Sequence, residues 1–150
     1  MTQTPTPILT AIDIGQAERA TRALLDGLLQ EADITFEQWV VLRMLGTGNA
    51  PATRDELVAQ GAALLRVAPG TVDDVVERMQ ASGLVSSAAP RETADVSLEP
   101  DGRARFDLVQ AGVTRAAGEV YRDFDPEDLA IVHRVLVEVA ARADALRSSS

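Results

Sequence analysis

The chemistry open to this chain is that of arginine and carboxylate. All fourteen basic residues are arginine, with no lysine, and they stand against 23 aspartates and glutamates for a net charge of −9. Arginine keeps its charge and offers a planar fork of donors that fits a phosphate or carboxylate with two parallel hydrogen bonds. The codon bias of a GC-rich genome is the simpler account of the missing lysine. An acidic chain is repelled by nucleic acid and by anionic membranes unless its arginines gather on one face. There is no cysteine, which removes disulfides, thiolate catalysis, thiol redox sensing and the usual structural zinc sites.

Little else is arranged for catalysis. His133 is the single histidine; one imidazole without further ligands makes no metal site, and a solvent-facing or packing role is the simpler reading. No nucleophile–base pair and no phosphate-cradling glycine loop stands in the sequence. Carboxylate pairs such as Glu127-Asp128 are explained by a helix start, where the helix dipole favours anions. The expectation is a protein that is not an enzyme, with no catalytic residue, cofactor or metal. Phe36 and Trp39, three apart, suit a core better than a ligand box.

The elements that position these residues read as one domain spanning 150 residues. The apolar share is 46%, with aromatics at only 3%, so the core is built from Leu, Val, Ile and Ala. No apolar run is long enough to cross a bilayer. Met1 to Pro7 lacks the basic and apolar marks of an export signal, so a cytoplasmic location is expected. From Pro7 to Glu31 the apolar residues recur with helical spacing. Thr35 with Gln38, and Thr53 with Glu56, form capping boxes that open two further helices. Pro69 suits a first helical position, Val72, Val75, Val76 and Met79 the buried side, and Gly83 a left-handed C-terminal cap. Leu84–Ser86 and Asp95–Leu98 read as short strands joined by an exposed loop. Phe106, Val109, Val113, Ala116, Val120 and Phe124 fit one helix, and Asp125-Pro126 starts another. In that last helix Leu129, Val132, Leu136, Val139, Ala143 and Leu146 form an unbroken seam of threes and fours. A seam that long predicts a partner helix from a second chain, although helices of the same chain also fill such seams.

The order of elements and several segments resemble one family. Ile34-Thr35-Phe36-Glu37-Gln38-Trp39-Val40-Val41-Leu42-Arg43-Met44-Leu45 resembles the pattern LT-x-x-Q-W-x-V-L-x-x-L. Asp55-Glu56-Leu57-Val58 resembles the start of the next helix, and Thr71 to Val85 resembles TV-x-x-x-V-x-x-L-x-x-x-G-L-V. Val96 to Gly102 resembles the V-x-LT-x-x-G that closes a wing. By these residues the chain resembles the MarR family of dimeric winged-helix transcription regulators over nearly its whole length. The Gln-Trp-x-x-Leu piece and the long flanking helices carry the assignment.

The resemblance implies a mainly α fold with a small β-wing. Residues 35–98 would form the winged helix-turn-helix module, and 7–31 with 103–147 the dimerisation helices. It implies a homodimer on double-stranded DNA, with the recognition helix in the major groove and the wing near the minor groove. Arg54, Arg66, Thr71, Asp73, Asp74, Arg78 and Arg91 would be the DNA-binding residues. A small aromatic or anionic effector would sit near Arg22, Trp39 and Arg43; no membrane role is implied. Three features depart from the family. The stretch from Leu57 to Thr71 is about four residues long in excess of the motif. Asp73 and Asp74 stand where a hydroxyl residue and an arginine are usual. The wing lacks the Asp-x-Arg pattern, and Glu99 replaces a threonine.

From Thr53 to Gly102 four arginines face nine carboxylates, a net of −5. Such a module binds DNA only if its arginines share a face, each unmatched carboxylate costing on the order of 1 kcal/mol. An ion pair between Asp74 and Arg78, four apart on a helix, would mask both charges. The alternative reading is a protein-interaction module that has lost DNA binding. It would present Asp73, Asp74 and Glu77 together to a basic partner.

Overall fold

The computed structural model describes residues 8–48, 53–88 and 94–149. Its elements run α1 (Ala11–Glu31), α2 (Phe36–Gly46), α3 (Arg54–Leu65), α4 (Pro69–Ala81), β1 (Val85–Ser87), β2 (Val96–Leu98), α5 (Pro100–Val120) and α6 (Pro126–Ser148). The fold is mainly α with one small antiparallel sheet, in which Val85 pairs with Leu98, Ser86 with Ser97 and Ser87 with Val96. The chain divides into two compact units, Met1–Thr114 and Arg115–Ser150. Among the described residues no helix is long and apolar enough to cross a membrane.

Local sequence explains most of the boundaries. The predicted boxes at Thr35/Gln38 and Thr53/Glu56 both form, each side chain satisfying an otherwise orphaned N–H of the other residue. A third box, not expected, corrects the start of α1. Thr10 is its N-cap, the Thr10 hydroxyl accepting from the Asp13 N–H and the Asp13 carboxylate from the Thr10 N–H. Ile8 and Leu9 therefore precede the helix instead of opening it. The Thr10 hydroxyl and then its backbone N–H, both donating to the Asp13 carboxylate, hold that carboxyl below its ordinary value.

Helix α4 carries Pro69 in its first turn and buries Val72, Val76 and Met79 completely. It ends as Gly83 predicts. With φ at +74°, Gly83 lets its own N–H reach the Gln80 carbonyl and the Leu84 N–H reach that of Met79. Leu84 and Met79, thus joined, are both buried. The excess length between Leu57 and Thr71 is absorbed as helix up to Leu65, followed by the short turn Arg66–Ala68 with Arg66 left-handed at φ +56°.

The core of the first unit lies where α2, α3 and α4 meet the wing and the early part of α5. Leu42, Leu57, Val72, Val76, Met79 and Val109 are its most deeply buried members. Burying each such side chain is worth about 1.5–3 kcal/mol. Trp39, 4% exposed, stacks on Phe106 with ring centroids 5.6 Å apart. The start of α5 presses against the strand entry so closely that a Cβ on Gly102 would stand 2.0 Å from the Leu84 carbonyl oxygen. That oxygen also accepts from the Glu99 N–H at 3.0 Å.

In the second unit α5 stops at Val120, and Asp123 takes a left-handed φ of +68°. Phe124 therefore lies outside the helix to which its spacing from Val120 assigned it. Asp125 caps α6 as predicted, accepting from the Glu127 N–H at 2.8 Å, with Pro126 first in the helix. No residue of α6 is buried.

Candidate functional site

Arg54 links the helix pair α3–α4 to the wing after it, over the apolar core they share. Its backbone N–H donates to the Ala94 carbonyl at 3.0 Å, fastening the returning arm of the wing to the head of α3. Its side chain turns inward, 3% exposed. There Nε donates to Asp73 Oδ1 at 2.8 Å, Nη2 to the Asp73 carbonyl at 3.2 Å and Nη1 to Gln80 Oε1 at 2.6 Å. Asp73 and Gln80 lie two turns apart on one side of α4, so the guanidinium grips that helix at two levels. A buried cation survives only when its donors are met, as they are here.

This corrects two expectations. Arg54 is no surface cation for a phosphate, because its charge is engaged inside the module. Asp73 is no member of an open acidic front, because it is the partner of Arg54. Asp73 thus has an internal role, as an acceptor for Arg54. Sequence reading missed both this latch and Gln80. The only signal was a polar pair, Asp73 and Gln80, seven apart beside the buried positions Val72, Val76 and Met79.

The remaining predicted residues lie outside. Thr71, Asp74 and Arg78 are exposed and share one face of α4 at spacings of three and four. Among the described residues Asp74 and Arg78 form no ion pair with each other, contrary to the expectation from their spacing, and neither side chain has a hydrogen-bonded partner. Glu77 is exposed on the same helix, and it is engaged in an interaction. Arg66 is exposed at the turn between α3 and α4 and is likewise engaged. Arg91, the wing arginine, lies outside the described residues. In the wing itself the Ser86 and Ser97 hydroxyls meet across the strands at 3.2 Å.

The three effector candidates separate as well. Trp39 is a core residue stacked on Phe106, so packing accounts for it fully. The Arg22 guanidinium carbon lies over the Phe36 ring, 3.4 Å from its centroid, and Nε pairs with Asp26 at 3.1 Å. Arg43 is exposed near the end of α2, where a cation complements the helix dipole. Two further arginines act as helix caps. Arg105 donates to the Ala32 and Asp33 carbonyls at 3.1 and 2.9 Å, beyond the end of α1. Arg103 donates to the Gly46 carbonyl at 3.3 Å, at the end of α2. Several arginines of this chain are thus structural, and because Arg54 and Asp73 neutralise each other the net charge of −5 over residues 53–102 is left to the surface.

No family model and no curated protein matches the sequence. Solved structures do match in shape. Ligand-free NadR aligns at a TM-score of 0.71 and 22% identity, over 92% of this chain and 99% of its own. NadR in complex with 4-hydroxyphenylacetate aligns at 0.69 and 24% identity, over 91% and 99%. The MarR family protein Rv2887 of Mycobacterium tuberculosis, in complex with DNA, aligns at 0.63 and 20% identity, over 89% and 98%. At these identities the likeness is one of fold, and the fold is that of the MarR-family winged-helix regulators.

Proposed function

We propose that this chain is a transcription regulator that binds duplex DNA as a homodimer, presenting α4 to the major groove and the wing to the flanking backbone. The observation that carries this reading is the construction of α4. One side is clamped to α3 by Arg54, while Thr71, Asp74 and Arg78 stand exposed on a face of their own. A helix held firmly behind and open in front is what base reading requires. The DNA complex of Rv2887, which shares the fold, supports the same assignment.

Dimerisation is supported by α6. Val132, Leu136, Val139 and Leu146 of the predicted seam are 50%, 38%, 41% and 72% exposed, a stripe that a second copy would cover. Residues 7–31 and 103–147 would form the dimer scaffold, setting the distance between two recognition helices to match half-sites on the duplex. A small anionic aromatic effector near Arg22 and Arg43 would alter that distance and so operator affinity. The NadR complex with 4-hydroxyphenylacetate supports this part of the reading. Trp39 is not needed for it.

The interaction-module alternative required Asp73, Asp74 and Glu77 as one open acidic surface. With Asp73 committed to Arg54, that surface loses a third of its charge. The test is a gel-shift competition with duplex from the chain's own upstream region against an unrelated duplex. Binding that resists the unrelated competitor supports the regulator. Absence of binding by folded dimer at low salt rejects it.

A further inference from the structure

The Asp74 carboxylate, on the outer face of α4 and unpartnered among the described residues, allows a statement about the sequence this chain reads, one that rests on the DNA-binding reading above. We infer that Asp74 is a specificity-determining residue that requires a cytosine in the operator half-site, its carboxylate accepting a hydrogen bond from the cytosine N4 amino group.

The argument starts from the two adjacent aspartates, which the structure treats differently. Arg54 holds Asp73 by both its side chain and its carbonyl, and holds Gln80 two turns on, so the rotation of α4 about its axis is fixed. With that rotation fixed, Asp74 is placed outward between Thr71 and Arg78. Among the described residues its carboxylate has no cation beside it and no donor to satisfy it, although Arg78 is only one turn away. In the groove of a duplex such a carboxylate is repelled by phosphates on both sides. The repulsion is offset only where a base edge offers a donor.

Two base edges in the major groove carry an amino donor, adenine N6 and cytosine N4. On adenine the amino group stands beside N7, an acceptor, which repels a carboxylate that approaches closely. On cytosine the neighbouring edge position of the same base is a C–H, which does not. A carboxylate, having acceptors only, therefore selects cytosine. An asparagine of the same shape carries a donor and an acceptor and suits the adenine edge instead. Arg78, a turn further along the same face, presents the donor fork that suits guanine O6 and N7.

The experiment is selection from a pool of randomised duplexes, followed by affinity measurement on the enriched site and its single-base variants. Wild type, Asp74→Ala and Asp74→Asn are compared. Both substitutions fall at an exposed side chain outside the core, so fold and dimerisation serve as controls by circular dichroism and sedimentation. Wild type is expected to enrich a half-site with a fixed cytosine, and replacing that base should weaken binding roughly ten-fold or more. Asp74→Ala should lose the preference at that position while keeping it elsewhere, and Asp74→Asn should move it toward adenine. Unchanged preferences in Asp74→Ala, or a wild-type preference set by Asp74 for any base other than cytosine, overturn the inference while leaving the regulator intact. Failure of folded wild type to enrich any sequence overturns the regulator reading and this inference with it.

Discussion

Arg54 and Asp73, nineteen residues apart in sequence, meet at 2.8 Å with the arginine side chain only 3% exposed. The contact joins the first residue of α3 to the fifth of α4 and so sets the angle between the two helices of the turn. Removing the arginine takes away the hydrogen bonds it gives to Asp73 and Gln80. Arg54→Met is expected to lower unfolding free energy by about 3 kcal/mol, the low end for a broken buried pair because Asp73 keeps some access to water. Asp73→Asn, which keeps the acceptor and drops the charge, should lose about 1 kcal/mol. Urea denaturation of the two variants measures this. Full stability in Arg54→Met would show that the latch holds nothing.

Gly102 sets a second constraint. A methyl group there would occupy the space of the Leu84 carbonyl oxygen, and backbone cannot swing aside as a long side chain can. Gly102→Ala should destabilise the chain by about 2 kcal/mol or more, by forcing α5 off the wing. Thermal melts decide it, and an unchanged midpoint contradicts the close approach.

The stripe on α6 predicts a specific loss of assembly. Leu136→Glu places a charge within the proposed seam, at a residue not buried in the single chain. Sedimentation should find the wild type dimeric and the variant monomeric at the same concentration, with helix content retained. A dimer unaffected by the substitution would move the interface elsewhere.

The Thr10–Asp13 box carries a pH signature. Hydrogen bonds from Thr10 lower the folded pKa of Asp13 below its unfolded value. The sign follows from linkage: stabilisation is present above the ordinary carboxyl pKa and is lost as pH falls through the depressed folded value. In an NMR titration Asp13 should protonate at lower pH than a free aspartate. Thr10→Ala should return it toward the ordinary value, and an Asp13 midpoint that ignores the substitution would contradict the assignment.

What the sequence made legible was local. Thr35/Gln38, Thr53/Glu56, Pro69, Gly83 and Asp125-Pro126 each satisfy backbone groups within a turn of themselves, so residue type and spacing were enough. Thr10/Asp13 belonged to the same class, but the apolar spacing of Ile8 and Ile12 drew the helix start too early. Phe124 fitted the periodicity of α5, and periodicity does not register the left-handed residue at Asp123 that ends the run. Arg54 was misassigned for a different reason. Its partners lie 19 and 26 residues away, and an arginine at a helix start looks the same in sequence whether it meets a phosphate or a buried aspartate. The same limit hid Arg103 and Arg105, whose carbonyl partners belong to distant helices. Thr71, Asp74 and Arg78 could be named as one helix face. That Asp74 and Arg78 stay apart depends on side-chain placement that spacing does not encode.

The central claim is that α4 meets duplex DNA, and fluorescence anisotropy of a labelled upstream duplex tests it most directly. Wild type and Arg78→Ala would be titrated across a series of salt concentrations. The account predicts that log affinity falls linearly with log salt, and that Arg78→Ala binds more weakly with a slope smaller by about one. Folded protein that does not bind at the lowest salt, or an Arg78→Ala line that overlays the wild type, would contradict it.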